Sequence, residues 1–249
     1  MKELLSCVLD IGEQMLLCGA EVHRVEDSVK RMCYAFGATR VDVFIITSTM
    51  ITTVYNQEHM PFTQTRRITG TGTDIERLHK LNALSRRICS KQMTIQEIRG
   101  EIEEILKTKC YPFWLECVSC ALIAGAFTLF FGGTLIEALV SLVVGTLIKL
   151  VLRFTEFALM NAVFAKFLCT FLASVLAFGA MKAGVIGNID KVMIGNIMSL
   201  IPGIGLTAAM RDLFTGDSIA GLLHTFDAVM TALAIAAGYF LFTCTLGGL

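Results

Sequence analysis

Charge is scarce in this sequence and unevenly placed. Only 17% of the 249 residues are Asp, Glu, Lys or Arg, whereas soluble domains usually carry about 25%. Residues 1–113 hold 15 of the 21 basic and 14 of the 21 acidic side chains, which leaves six and seven for residues 114–249. Neither part has a basic surplus, so nucleic acid is not expected as a partner. The charge-poor part suits lipid as its solvent.

Several common motifs are also missing. The nine cysteines are scattered, and the five in the soluble part fit no zinc-binding spacing. Cys117 and Cys120 have the C-x-x-C spacing, for which helix packing is favoured over redox or metal work, so we expect neither a metal nor a cofactor. Residues 69–74 are rich in glycine but depart from both phosphate-loop patterns, and they predict a turn before a helix cap. Residues 1–19 include Glu3, Asp10 and Glu13 and lack a long uncharged run. They therefore do not resemble a secretory signal peptide.

The N-terminal part has the patterns of a small α+β domain, residues 1–112. Apolar residues recur at helical spacing near the start, β-branched and aromatic runs follow, and Thr94 with Glu97 predicts a capping box. The predicted helices are residues 4–17, 21–36, 74–89 and 94–107, and the predicted strands are 41–47, 50–55 and 62–69.

Beyond Pro112 the sequence predicts an α-helical membrane domain, residues 113–249. A span needs about 20 largely apolar residues, and charges and glycine pairs separate such segments here. About five transmembrane helices are predicted, at about residues 114–131, 134–152, 157–181, 191–210 and 218–244.

The orientation follows from the basic residues in short loops. Lys149, Arg153 and Arg211 fall in the second and fourth loops, whereas one outer loop is uncharged and the other has Lys182 and Lys191. The positive-inside rule therefore predicts a multi-pass protein of the plasma membrane with a cytoplasmic N-terminal domain and an outward C-terminus.

Charged residues within the predicted spans are the first candidates for function. Each costs about 2.5–3.5 kcal/mol at a helix centre, so it needs a partner or a wet cavity. Lys166 and Asp227 lie deepest, and His224 is three residues before Asp227, which suits a proton relay or a simple pair. Glu137 is a further coupling candidate, although it and Lys149 can instead snorkel. Lys166 can pair with Glu137 or Asp227 for structure alone.

The fourth predicted span contains a helix breaker. Pro202, Gly203 and Gly205 interrupt it, so a new half-helix can start near Thr207. Transporters use such helix N-termini to bind a substrate carboxylate, and Arg211 would assist. The alternative is a simple proline kink.

A cluster of charged residues begins the second predicted helix. Glu21, His23, Arg24 and Glu26 lie within six positions, and acids there complement the helix dipole. A solvated helix face and a functional motif both remain open. A membrane-anchored hydrolase using Glu21, His23 and Glu26 is an alternative, although no known nucleophile or zinc motif accompanies them.

Taken together, these motifs resemble the threonine/serine exporter family, in particular the larger subunit of its split, two-gene form. The resemblance rests on residues 19–26, 47–49, 73–74 with 81–85, 202–203, 211–212 and 216–217. It implies a cytoplasmic domain with five spans and secondary export of small amino or carboxylic acids. Threonine and serine are associated with the fused form and succinate with the split form. It also implies a second, smaller membrane subunit.

The resulting expectation is a proton-coupled exporter subunit, not an enzyme. The substrate would bind at Pro202, Gly203, Gly205, Thr207 and Arg211, and the coupling residues would be Asp227, His224, Lys166 and Glu137. Glu21, Arg24 and Glu26 form the cytoplasmic motif. Homo-oligomers are compatible with this reading. A non-transporting membrane scaffold or sensor is the third hypothesis, beside the exporter and the hydrolase.

Overall fold

The computed structural model describes residues 2–70, 72–91, 93–107 and 111–246. The chain forms two compact units: the first is Met1–Lys109 with Leu206–Thr225, and the second is Cys110–Gly205 with Phe226–Leu249. The division predicted between residues 112 and 113 stays a prediction, and the units depart from it at 206–225. Thr71 and Cys110, which belong to the turn and the cysteines considered above, lie outside the described residues.

The first unit has the predicted order of elements. Each predicted helix and strand is present with ends shifted by a few residues. The elements are α1 (Lys2–Leu17), α2 (Val22–Ala35), β1 (Arg40–Ile46), β2 (Thr49–Tyr55), β3 (Pro61–Arg67), α3 (Ile75–Ser90) and α4 (Ile95–Leu106).

A three-stranded antiparallel sheet in the order β1-β2-β3 packs one face on the helices. Alternate strand residues such as Val41, Ile45 and Val54 are buried, whereas Phe44 and Ile51 are exposed. This period of two is what the alternating side chains of a half-buried strand require. The buried side chains join those of α1 to α4 in one apolar core.

Local signals fix the ends of these helices. Gly19 follows α1 with φ +87°, and an added Cβ would lie 2.6 Å from the carbonyl oxygen of Gly72. Only glycine suits both conditions. The side chain of Asp74 accepts a hydrogen bond from the Arg77 backbone N–H, and Thr94 with Glu97 forms the predicted capping box.

The second unit is helical. Its described elements are α5 (Phe113–Phe130), α6 (Leu135–Phe157), α7 (Ala162–Lys182) and α8 (Ile189–Ile197), and it shares α9 (Gly203–Thr215) and α10 (Ser218–Thr245) with the first unit. Within the described ranges, four helices are long and apolar enough to cross a membrane: α5, α6, α7 and α10.

Small residues bring the helices of the second unit close together. A Cβ added to Gly145 of α6 would lie 2.8 Å from the Ala124 Cβ of α5. A Cβ added to Gly195 of α8 would lie 2.7 Å from the Ala124 carbonyl oxygen. Glycine at such crossings lets helix backbones approach closely, as is usual between helices in lipid.

The fourth predicted span is not one continuous helix. Residues 191–210 are divided between α8, with nine residues, and α9, with 13. Pro202 precedes α9 because its missing N–H and fixed φ suit the start of a helix and not its interior. The half-helix therefore begins at Gly203 and not near Thr207, and the predicted count of five spans is not confirmed.

Candidate functional site

A groove between α7 and α10 in the second unit contains Asp227. It has a volume of about 480 Å³, within the range usual for small-molecule sites. Aromatic and aliphatic side chains form most of its wall, and Asp227 is exposed in it. The lining residues are Asn161, Val163, Phe164, Phe167, Phe226, Asp227, Met230 and Ala234.

Lys166 of α7 lies beside this groove. Its Nζ is 3.5 Å from the hydroxyl oxygen of Thr231 on α10. Thr231 is 6% exposed and follows Asp227 by four residues, a rise of about 6 Å along a helix. Within the described part of the chain, Lys166 forms no ion pair with Asp227 or Glu137. Asp227 and the residue that Lys166 contacts thus lie about one helical turn apart on α10.

The close contact between α7 and α10 positions these two charges. A Cβ added to Gly238 would lie 2.5 Å from the carbonyl oxygen of Phe167. Real Cβ atoms do not approach that closely, so any larger residue must separate the helices. Asn161 caps the start of α7: its side chain accepts a hydrogen bond from the Val163 N–H, and this bond fixes its position.

Glu137 lies elsewhere, at the start of α6. Its Oε2 accepts a hydrogen bond from the Thr134 N–H at 2.7 Å, and its Oε1 accepts one from the Asn188 N–H at 3.0 Å. The residue is 4% exposed. These bonds give Glu137 a structural role in capping α6 and holding the segment before α8. Lys149 forms an ion pair with Glu116 at 2.9 Å.

Arg211 and His224 belong to a polar network in the first unit. Arg211 forms an ion pair with Glu21, which also faces Arg24 at 3.5 Å. His224 Nδ1 lies 2.9 Å from Asp212 Oδ2, and Asp212 is buried. His224 therefore pairs with α9, although its spacing from Asp227 suggested a partner on α10. Sequence spacing cannot reveal a carboxylate brought in by the preceding helix.

Glu26 lies on the same helix as Glu21 but has different partners. Its Oε1 accepts a hydrogen bond from the Ile45 N–H at 3.1 Å, which links α2 to β1. Burial raises the pKa of Glu26, and the charge of Asp217 adds to the rise, whereas the Ile45 bond and Lys30 oppose it. Glu26 is thus held in place by the fold.

The remaining residues predicted for the site lie at the protein surface. Gly203 and Gly205 lie in the exposed first turn of α9 after Pro202, Thr207 is exposed just beyond that turn, and His23 is exposed on α2. Among the described residues no group of three or more His, Cys, Asp or Glu is arranged to hold a metal ion. The sequence analysis did not identify Thr231 and Asn161, because a single Thr or Asn in or near a helix has no distinctive sequence pattern.

Comparison with known proteins identifies the family. The family model described as "Putative threonine/serine exporter" matches residues 6–246. The chain belongs to this threonine/serine exporter family. The family is one of transporters and not of enzymes. Membership also agrees with the four apolar helices of a multi-pass membrane protein.

A curated relative gives the same assignment. The chain is 24% identical over 245 residues to the "Probable threonine/serine exporter" of Mycobacterium tuberculosis. The match covers 95% of this chain and 45% of the relative, so the chain spans about half the length of that protein. No solved structure matches the chain.

Proposed function

We propose that the chain is a subunit of a secondary-active exporter that carries small zwitterionic amino acids, such as threonine or serine, out across the plasma membrane. The first unit would face the cytoplasm. The observation that carries the proposal is the groove between α7 and α10. Asp227 lines this groove, and Lys166, which forms no ion pair among the described residues, contacts Thr231 one helical turn further along α10. Membership of the exporter family supports it.

The charges of the groove favour an amino acid over a dicarboxylate. An α-amino acid has an ammonium group and a carboxylate on one carbon, so Asp227 can accept the first while Lys166 donates to the second. The hydroxyl of Thr231, 3.5 Å from Lys166 Nζ, adds a polar contact for a short side chain. Succinate would bring two negative charges to one lysine and one aspartate, and like charges repel.

Proton coupling follows from the same carboxylate. A protonated Asp227 cannot hold an ammonium group by charge, so proton and substrate compete for one site. Antiport results if Asp227 releases substrate and binds a proton at the outer side, and releases the proton and binds substrate at the inner side. His224 is engaged by Asp212 and would affect coupling only through α10.

The broken helix supplies a second region for the substrate. Gly203 and Gly205 lie in the first turn of α9 and Thr207 follows it, at the positive end of the helix dipole, which attracts a carboxylate. Arg211 is already paired with Glu21. We therefore propose that the first turn itself, and Arg211 only after release from Glu21, contacts the substrate during transit.

A partner in the membrane is part of the proposal. Asp227 is exposed on a membrane-spanning helix, where lipid cannot solvate a carboxylate. A second, smaller membrane subunit, or a further part of one polypeptide as in a longer relative, would cover the groove. The matched region is 45% of the Mycobacterium tuberculosis relative, which leaves sequence for such a part. An assembly with more than one copy of this chain is compatible with the proposal.

The test is uptake and release by proteoliposomes containing the complex as purified from the membrane. Labelled threonine, serine and succinate are compared in the wild type and in Lys166→Gln. Loss of a charged hydrogen-bond partner should lower kcat/KM for threonine by at least about tenfold. Lys182→Gln, at the end of the same helix, is the matched control and should transport normally. Transport of succinate but not of threonine by the wild type would refute the substrate class.

A further inference from the structure

The first unit contains a polar cleft that the transport proposal does not use. It lies between α2 and α3 and has a volume of about 290 Å³. Ser28 and Arg31 line it from α2, and Asn82, Ser85 and Arg86 line it from α3. Positions 82, 85, 86 and 89 are spaced by three and four residues, so the fold gathers them on one face of α3.

The two guanidinium groups of the cleft differ in their partners. Arg31 is held by Asp27, with Nε 2.8 Å from the carboxylate oxygen. The Arg86 side chain forms no ion pair and no hydrogen bond within the described part of the chain, and the residue is exposed. With one acid and two arginines, the cleft carries a net charge of about +1. An unpaired guanidinium offers several N–H donors in a planar fork.

Neutral donors surround this charge. Ser85 is 6% exposed, and its hydroxyl donates a long hydrogen bond of 3.4 Å to the Asn82 carbonyl oxygen. Among the described residues, the side chains of Ser28 and Asn82 take part in no hydrogen bond. Hydroxyl and amide donors beside a free guanidinium match the acceptors of a carboxylate or phosphate group.

We propose that this cleft binds a small oxyanion, which is a carboxylate or phosphate group, on the soluble unit. The net positive charge favours an anion over a metal cation, and the guanidinium, hydroxyl and amide groups of the lining favour a polar ligand. The volume is at the lower end for ligand sites, so it admits a single anionic group with a short body and not a nucleotide. Bidentate hydrogen bonds from Arg86 hold the anion, and the neutral donors complete its shell. This inference is independent of the export proposal.

Equilibrium dialysis of the purified full chain with labelled inorganic phosphate and, separately, labelled succinate tests the site. We expect saturable binding of at least one probe. Comparison of the phosphate and succinate experiments shows whether the cleft recognises a phosphate or a carboxylate group. Arg86→Gln should weaken binding by at least about tenfold, because a charge-assisted contact is lost. Arg87→Gln is the matched control: Arg87 pairs with Glu101 outside the cleft, so its loss should change affinity less than about twofold.

Two further measurements keep the outcome decisive. Asp27→Asn should tighten binding several-fold, since it removes the acid that competes for Arg31. General damage to the fold would weaken binding instead. Bound anion should also slow alkylation of Cys89, an exposed thiol in the cleft, in the wild-type chain. No saturable binding of either probe, or equal binding and Cys89 protection in Arg86→Gln, would overturn the proposal.

Discussion

Removal of the Glu137 side chain tests whether this residue stabilises the fold or couples transport to proton movement. In Glu137→Ala the backbone N–H groups of Thr134 and Asn188 lose their acceptors, which lie at 2.7 and 3.0 Å. Glu137 is buried and the two hydrogen bonds are partly buried, so each N–H group that loses its acceptor costs about 1–3 kcal/mol. The free energy of unfolding should therefore fall by about 2–6 kcal/mol. Glu137→Gln keeps one side-chain oxygen and should lose about half as much.

The assay is reversible unfolding in mixed micelles, read by circular dichroism and compared with threonine transport per folded molecule. Glu116→Ala is the control, because it removes only the partly exposed ion pair with Lys149 and should cost less than about 1 kcal/mol. If Glu137→Ala is as stable as Glu116→Ala but its proton-driven transport is abolished, Glu137 belongs to the coupling mechanism and the capping argument is wrong.

Three further predictions concern packing, topology and pH. Gly238→Ala should cost about 1–3 kcal/mol in micelle unfolding, since its Cβ meets a backbone oxygen of α7, whereas Gly179→Ala has open space and should be neutral. In a cysteine-free background, impermeant thiol reagents should label Val185→Cys from outside and Thr215→Cys only after permeabilisation; external labelling of Thr215→Cys alone would reject the topology. The folded-state pKa of Glu26 is raised, so its contribution to stability should fall as pH rises from about 4.5 through that folded pKa, and Glu26→Gln should abolish this component of the pH profile.

The first unit was accessible to sequence reasoning because its signals are local. The capping box at Thr94 depends on a residue three positions away, and the hydrogen bonds of the turn at Gly19 reach back only to Met15, although the close approach of the Gly72 carbonyl oxygen to Gly19 is not local. The strands follow a period of two. Such rules determine where elements begin and end.

The second unit was predicted less completely, for a physical reason. Apolar length counted residues 191–210 as one span. Pro202 and the glycines beside it indicated a break there, and α8 and α9 are indeed separate helices, but the second begins at Gly203 and not near Thr207. Helix α6 also runs on to Phe157 through Arg153, because a charge at a membrane edge does not end a helix.

The candidate site depended on pairings between distant residues. Asp227 and Lys166 were predicted from their cost in lipid. The contact of Lys166 with Thr231, the bond from His224 to Asp212 and the bond from the Asn188 N–H to Glu137 each join separate parts of the chain. Local sequence patterns do not show which residues far apart in the chain come into contact. Sequence reasoning therefore found the charged residues but not which of them remain unpaired.

Threonine efflux at a series of imposed pH gradients, in proteoliposomes with matched amounts of wild type and Asp227→Asn, tests the central claim most directly. Asn is nearly isosteric with Asp but has no charge to offer an ammonium group and no carboxylate to protonate. We expect wild-type efflux to increase with the gradient, and Asp227→Asn to fold and insert normally while its residual efflux is slow and independent of the gradient. Rapid, gradient-driven efflux by Asp227→Asn would contradict the account, because proton and substrate could not then compete for this carboxylate.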